Sequence, residues 1–192
     1  MLPLVLASSS PYRKSLLQRL QLPFQSASPN INETPLNGEP AEQITQRLAL
    51  AKAQALQSIF PAHLIIGSDQ VVLLDGNPVS KPETHAEALE QLRRSSGKTL
   101  TFFTALCLLN SASEKHQVSV EPYSVTFRQL NDQQIERYLL LEQPYDCAGS
   151  FKSEGFGISL IERMHGDDPN SLIGLPLILL CRMLAQEGIH LP

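Results

Sequence analysis

Leu2-Pro3-Leu4-Val5-Leu6-Ala7 runs directly into Ser8-Ser9-Ser10-Pro11-Tyr12-Arg13-Lys14, and Leu16, Leu17 and Leu20 then follow at helical spacing. The apolar run predicts a buried strand over 2–7 and the spacing predicts a helix over 11–20, so the chain opens with a strand-to-helix junction of the α/β kind. Ser10 is a good N-cap, and Pro11 suits the first helical position, where its missing amide hydrogen would have no partner anyway. A strand that ends in hydroxyls and continues as a helix presents N–H groups and the positive end of the helix dipole to an anion. Arg13 and Lys14 stand in the first turn, where the dipole disfavours cations; an incoming phosphate offsets that cost. An ordinary capped helix with two solvated cations accounts for the same residues.

Outward from this junction, helical and strand patterns interleave. A Pro/Asn/Gly-rich loop over 28–40 precedes a helix over 41–58, then strands over 63–67 and 70–74, a turn at Asp75-Gly76-Asn77-Pro78 and a helix over 83–95. Strands near 99–110 and 117–128 are joined by a polar turn, a helix over 131–141 follows, and residues 145–160 mix Gly with aromatic and apolar residues. A late strand around 157–163, a polar loop and a last helix over 174–187 complete the pattern. This order predicts an α/β fold with a mixed β-sheet flanked by helices, antiparallel at its central pair of long strands. A chain of 192 residues can bury a substantial core as a single domain, 1–192, with room for two lobes.

Net charge is −4, from 15 basic and 19 acidic residues, so nothing in the overall balance favours nucleic acid or an acidic membrane, and any anion site must be local. Cys107, Cys147 and Cys181 are far apart, odd in number and lack zinc-type spacing, which predicts free thiols and a cytoplasmic setting. The N-terminal apolar stretch has no basic residue before it, and Leu172 to Leu180 is short and interrupted by Pro176, so neither reads as a signal peptide or a membrane span.

A second chemical candidate is Leu64-Ile65-Ile66-Gly67-Ser68-Asp69-Gln70-Val71-Val72. Asp69 lies between two buried-type runs, where an unpaired charge is expensive and a metal or cationic partner is expected; a bend at Gly67-Ser68 would expose it at a sheet edge. An aspartate capping a turn between two hairpin strands fits the same letters. Lys52 and Lys81 are singly uninformative, since most lysines face solvent. Glu33, in Asn32-Glu33-Thr34-Pro35, gains meaning only if it shares a divalent cation with a second carboxylate such as Asp69. The chain has no phosphate-loop, dinucleotide-loop or H-E-x-x-H motif, and His63, His85, His116, His165 and His190 are scattered, which fits surface or structural roles.

The ordered set of motifs resembles the Maf nucleotide pyrophosphatase family, related in fold to the inosine-triphosphate pyrophosphatases. It comprises Leu6-Ala7-Ser8-Ser9-Ser10-Pro11 with Arg13, Glu33-Thr34-Pro35, Leu48-Ala49 with Lys52-Ala53, Gly67-Ser68-Asp69, Lys81-Pro82, Ser96-Gly97 with Thr104, Ala148-Gly149, and Asn170 with Gly174-Leu175-Pro176. The resemblance implies a two-lobed mixed-sheet fold with a central cleft. It also implies hydrolysis of a nucleoside triphosphate between its α and β phosphates, a divalent cation (Mg or Mn), a cytoplasmic location and, from family habit, a homodimer. On that reading Ser8, Ser10 and Arg13, with Lys52 and Lys81, hold the triphosphate and offset charge on the leaving diphosphate, while Glu33 and Asp69 hold the cation or direct the water.

Most members carry Arg where this chain has Tyr12, Thr where it has Gln70, and Gln where it has Glu154. This combination resembles the subgroup that hydrolyses 7-methyl-GTP. Methylation at N7 makes the purine cationic, so the face of Tyr12 gains roughly 0.5–2 kcal/mol of cation–π attraction, whereas an arginine would repel it. Guanine presents two donors, N1–H and the 2-amino group, that the Glu154 carboxylate can accept together. Packing of Tyr12 on its helix and a surface Glu154 beside Lys152 are the structural alternative. Ser15 and Leu100 also depart from the common pattern, which carries Glu and His there. Preference for dTTP or UTP, and a regulator of cell division that binds nucleotide without turnover, are the competing functions.

Overall fold

The computed structural model describes residues 2–192. In chain order the elements are β1 (Leu4–Ala7), α1 (Pro11–Gln18), β2 (Phe24–Ala27), α2 (Ala41–Gln54), β3 (Leu64–Leu74), β4 (Asn77–Pro78), α3 (His85–Ser95), β5 (Thr99–Asn110) and β6 (Lys115–Phe127). Then come α4 (Asp132–Glu142), two short 3-10 turns (Ala148–Ser150 and Phe156–Leu160), β7 (Ile161–His165), α5 (Asn170–Ile173) and α6 (Leu177–Gln186). The seven strands form one mixed sheet in the order β2-β1-β3-β5-β6-β7, with β4 on β3. β1 runs parallel to β2 and to β3, while β7 is antiparallel to β6. A connection of only 111–114 can join β5 to β6 only as antiparallel neighbours. The mixed sheet flanked by helices is therefore the one the sequence predicts.

Two compact units make up the chain: the chain up to Gln70 with Phe103–Glu121 and Asp168–Pro192, and Val71–Phe102 with Pro122–Asp167. In the first unit alternate strand residues feed two cores. Leu4, Leu6, Leu64, Ile66, Leu106 and Leu108 pack with Leu16 and Leu17 of α1 and with Leu180, Met183 and Leu184 of α6. Val5, Ala7, Ile65, Ala105, Cys107 and Leu109 pack with Ala49 and Ala53 of α2. Both faces are covered, which is why these strands read as continuous apolar runs. Burial also pushes the Cys107 thiol up to about 12, so it acts as a small apolar side chain. In the second unit the rings of Phe127 and Phe151 meet edge to face at 5.3 Å, and buried Ile135, Tyr138 and Leu139 line α4.

Four expectations need correction. Residues 63–74 contain no break: β3 is one continuous strand, and Gly67-Ser68 is not a bend. β2 was not expected, because Phe24-Gln25-Ser26-Ala27 is short and mostly exposed; it forms because buried β1 offers it a parallel edge, with Leu4 against Phe24 and Ala7 against Ala27. The late strand lies at Ile161–His165, behind a 3-10 turn. The last helix begins at Leu177, after Pro176, and not at 174, and the polar loop before it holds the short α5, which ends where Gly174 takes φ 111°. Among the described residues no helix is long and apolar enough to cross a membrane.

Candidate active site

At the end of β1 the chain folds back on itself before α1 begins. The Ser8 hydroxyl accepts a hydrogen bond from the Ser10 amide at 3.1 Å, and the Ser10 hydroxyl accepts from the Arg13 amide at 3.4 Å as the N-cap. Two amides of the expected cradle are thus committed internally. An accepting hydroxyl keeps its own hydrogen for donation, so Ser8 and Ser10 can each still donate through O–H. Arg13 donates from Nε to the Gly174 carbonyl at 2.8 Å, which fixes the guanidinium and leaves its two terminal nitrogens for a phosphate. Burial pulls its pKa below the ordinary arginine value while the charges of Asp69 and Glu33 pull it back up; it stays a cation.

Glu33, Lys52 and Asp69 meet. Lys52 Nζ donates to Asp69 Oδ1 at 2.6 Å and to Glu33 Oε2 at 3.0 Å, with Lys52 and Asp69 both buried and Glu33 half-exposed. The long loop is tied down on either side of Glu33. Asn32 accepts from the Thr34 amide in an Asx turn, and Arg47 of α2 grips Glu39 through two nitrogens at 2.6 and 2.7 Å. Lys52 reaches Asp69 because α2 lies against β3: a Cβ on Gly67 would stand 2.1 Å from the Ala49 carbonyl oxygen and 3.0 Å from the Ala53 amide nitrogen. Only glycine permits that approach. Burial raises the Asp69 pKa above the ordinary carboxylate value, Lys52 by charge and hydrogen bond opposes the rise, Arg13 opposes it further, and Glu33 adds to it. A raised pKa makes a carboxylate a stronger proton acceptor once ionised than an exposed one.

The donor set fits a hard divalent cation of the magnesium type. Lys52 engages one oxygen of each carboxylate, so Asp69 Oδ2 and Glu33 Oε1 are the donors that would meet it. Magnesium is commonly held by one or two carboxylates, waters and substrate phosphates. Among the described residues no group of three His, Cys, Asp or Glu is placed to hold a metal.

Gln70 is tied to the C-terminal segment. Its Nε2 donates to Thr104 Oγ1 at 2.8 Å and to the Ser171 carbonyl at 2.7 Å. Ser68 Oγ lies 2.8 Å from the Ala105 carbonyl and 2.9 Å from the Gly174 carbonyl. Tyr12 is half-buried in the first turn of α1. Ser8, Ser10, Tyr12, Arg13, Glu33, Lys52, Asp69 and Gln70 all belong to the first unit; Lys81 and Glu154 belong to the second, where both are exposed and Glu154 Oε2 accepts from Ser153 at 3.4 Å. Sequence reading missed the close approach at Gly67 and the Ser171 and Gly174 carbonyls that hold Gln70 and Arg13. The Asp168-Pro169-Asn170 string, a cap residue before a helix, was the available signal for the last group.

The pattern of Maf-like proteins matches residues 3–187. The chain belongs to the Maf family. Among the relatives of this Maf protein, the 7-methyl-GTP pyrophosphatase of Pseudomonas aeruginosa is 55% identical over 189 residues, 98% of each chain. That of Methylobacillus flagellatus is 56% identical over 187 residues, 97% of each. Two solved structures share the fold at low identity. The Staphylococcus aureus Ham1 protein has a TM-score of 0.56 at 14% identity, covering 96% of this chain and 99% of that one. A HAM1 protein from Coxiella burnetii has a TM-score of 0.58 at 15% identity, covering 97% and 100%.

Proposed function

We propose that this Maf protein is a nucleoside triphosphate pyrophosphatase that converts 7-methyl-GTP to 7-methyl-GMP and diphosphate and removes modified nucleotides from the pool. One observation carries the reading: two relatives at 55–56% identity over nearly the whole chain bear the name 7-methyl-GTP pyrophosphatase. The Lys52-linked carboxylates beside the Ser8-Ser10-Arg13 turn support the chemistry. Water attacks the α phosphorus, the bond to the bridging oxygen breaks, and diphosphate leaves. Asp69 takes the proton of that water. Lys52 favours the ionised form of Asp69 and holds it in place, and Arg13, Ser8 and Ser10 donate to phosphate oxygens as charge builds on the leaving group. When bound by Asp69 and Glu33, magnesium or manganese would acidify a coordinated water and neutralise phosphate charge.

Base selection is assigned by chemistry. Tyr12 meets the cationic purine with its ring face. Gln70, its nitrogen held by Thr104 and Ser171, offers Oε1 as an acceptor, and Glu154 and Lys81 supply a carboxylate for the guanine edge and a cation for phosphate. The proposed setting is the cytoplasm, with a small-molecule nucleotide as partner, no nucleic acid or membrane, and a homodimer as the assembly. Asp69→Asn tests the chemistry: it is expected to lower kcat by about 10²–10⁴-fold with the circular dichroism spectrum unchanged. A variant that keeps most of its rate removes Asp69 from the reaction.

A further inference from the structure

Asp168 is buried, and no cation forms an ion pair with it among the described residues. A buried carboxylate needs compensation, and here it is amide donors. Oδ1 accepts from the Asn170 backbone amide at 2.9 Å and from Asn170 Nδ2 at 2.7 Å, while Oδ2 accepts from the Ile178 amide at 2.7 Å. Asn170 N opens α5 and Ile178 N lies in the first turn of α6, so one side chain caps both helices. The Asp168 carbonyl adds bonds from the Ser171 amide at 3.0 Å and the Ser171 hydroxyl at 2.6 Å. The segment between the two caps is thereby set from both ends.

That segment's carbonyls hold four side chains, two of which, Arg13 and Gln70, belong to the candidate site. Gly174 O receives Arg13 Nε and Ser68 Oγ, and Ser171 O receives Gln70 Nε2 and Thr104 Oγ1. Gly174 takes φ 111°, so its carbonyl direction depends on a turn that most side chains could not adopt. We infer that Asp168 is a positioning residue for the reaction: by fixing the 170–174 carbonyls it aims Arg13 at phosphate and holds Gln70 for the base. The inference rests on the proposed pyrophosphatase reading. Its physical content is that substrate contacts of Arg13 and Gln70 are transmitted through backbone carbonyls whose orientation one buried carboxylate controls.

Asp168→Asn is the sharpest probe. The amide has nearly the same shape, but one of its two polar atoms becomes an NH₂ that faces an N–H donor, so either the Asn170 or the Ile178 bond is lost. A merely structural residue would lower the melting temperature and leave the folded enzyme's kinetics alone. The experiment is a double-mutant cycle of Asp168→Asn with Arg13→Ala, read as kcat/KM for 7-methyl-GTP well below the melting temperature and, separately, as affinity for inorganic diphosphate. Expected is a fall of about tenfold or more in kcat/KM for Asp168→Asn, mostly through KM, with little further loss when it is added to Arg13→Ala. Selectivity for 7-methyl-GTP over GTP should also narrow. Asn170→Ala, which keeps the backbone amide bond but removes the Nδ2 bond to Asp168 together with the Arg19 bond to Asn170 Oδ1, repeats the pattern in weaker form and, with Arg19→Ala as the control for the second bond, serves if Asp168→Asn does not fold. Multiplicative losses, or unchanged kinetics in folded variants, overturn the inference. If the wild type itself releases no diphosphate, the pyrophosphatase reading fails, and the diphosphate-affinity cycle still decides whether Asp168 acts through Arg13.

Discussion

Asp69 carries two opposed demands. Its carboxyl is raised above the ordinary value chiefly by burial, so between the ordinary carboxylate range and the raised value the folded chain holds a proton that the unfolded chain has lost. Stability from this group is therefore complete below the ordinary value and is lost as pH rises through the raised one. Activity needs the ionised form and runs the other way. The acid limb of the kcat/KM profile is expected above the range of an exposed aspartate, and Lys52→Met, which removes the chief opposing influence, should move that limb to still higher pH while lowering the rate. A pH profile of the two enzymes checks this; a limb that stays in place would show that a different group is titrating. The resemblance in motif order singled out Asp69, Lys52, Glu33 and Arg13, and the fold brings the first three into contact. Their bonding was not legible in the sequence, because a 19-residue separation between Glu33 and Lys52 carries no distance until loop 28–40 is folded.

At the level of elements, Gly67 decides how closely α2 approaches β3. Gly67→Ala would drive a methyl group into the backbone of the helix that carries Lys52, and backbone cannot rotate away as a side chain can. The expected cost is about 1–3 kcal/mol of stability, read by thermal or denaturant unfolding, together with a fall in kcat as the 2.6 Å Lys52–Asp69 bond lengthens. An unchanged melting temperature would mean that the helix moves freely, and the close approach would lose its role. Long periodic elements were legible: α2, α3 and α4 begin within two residues of expectation. β2 was hidden because an exposed four-residue strand has no period of its own and exists only through β1. The continuity of β3 was hidden because Gly67 reads locally as a break, although here it marks close backbone packing.

For the whole molecule, net charge is −4, so the chain has no general attraction for polyanions and the triphosphate must be held by local donors. That favours turnover of a small nucleotide over nucleic-acid binding. Within that class, the proposed reading assigns the choice of base to Tyr12, Gln70 and Glu154, with the carboxylate of Glu154 proposed to separate a cationic guanine from a neutral one. Replacing it by the amide keeps shape, removes charge and mispairs one guanine donor, so the expected penalty falls on both guanine nucleotides but more heavily on 7-methyl-GTP, about ten- to a hundredfold there for a loss of 1–3 kcal/mol. The measurement to make is diphosphate release from 7-methyl-GTP, GTP, dTTP and UTP, with magnesium and with manganese, by the wild type and by Glu154→Gln. A strong wild-type preference for 7-methyl-GTP that shrinks in Glu154→Gln is the predicted result. Preference for a pyrimidine nucleotide, or no diphosphate from any of the four, would contradict it.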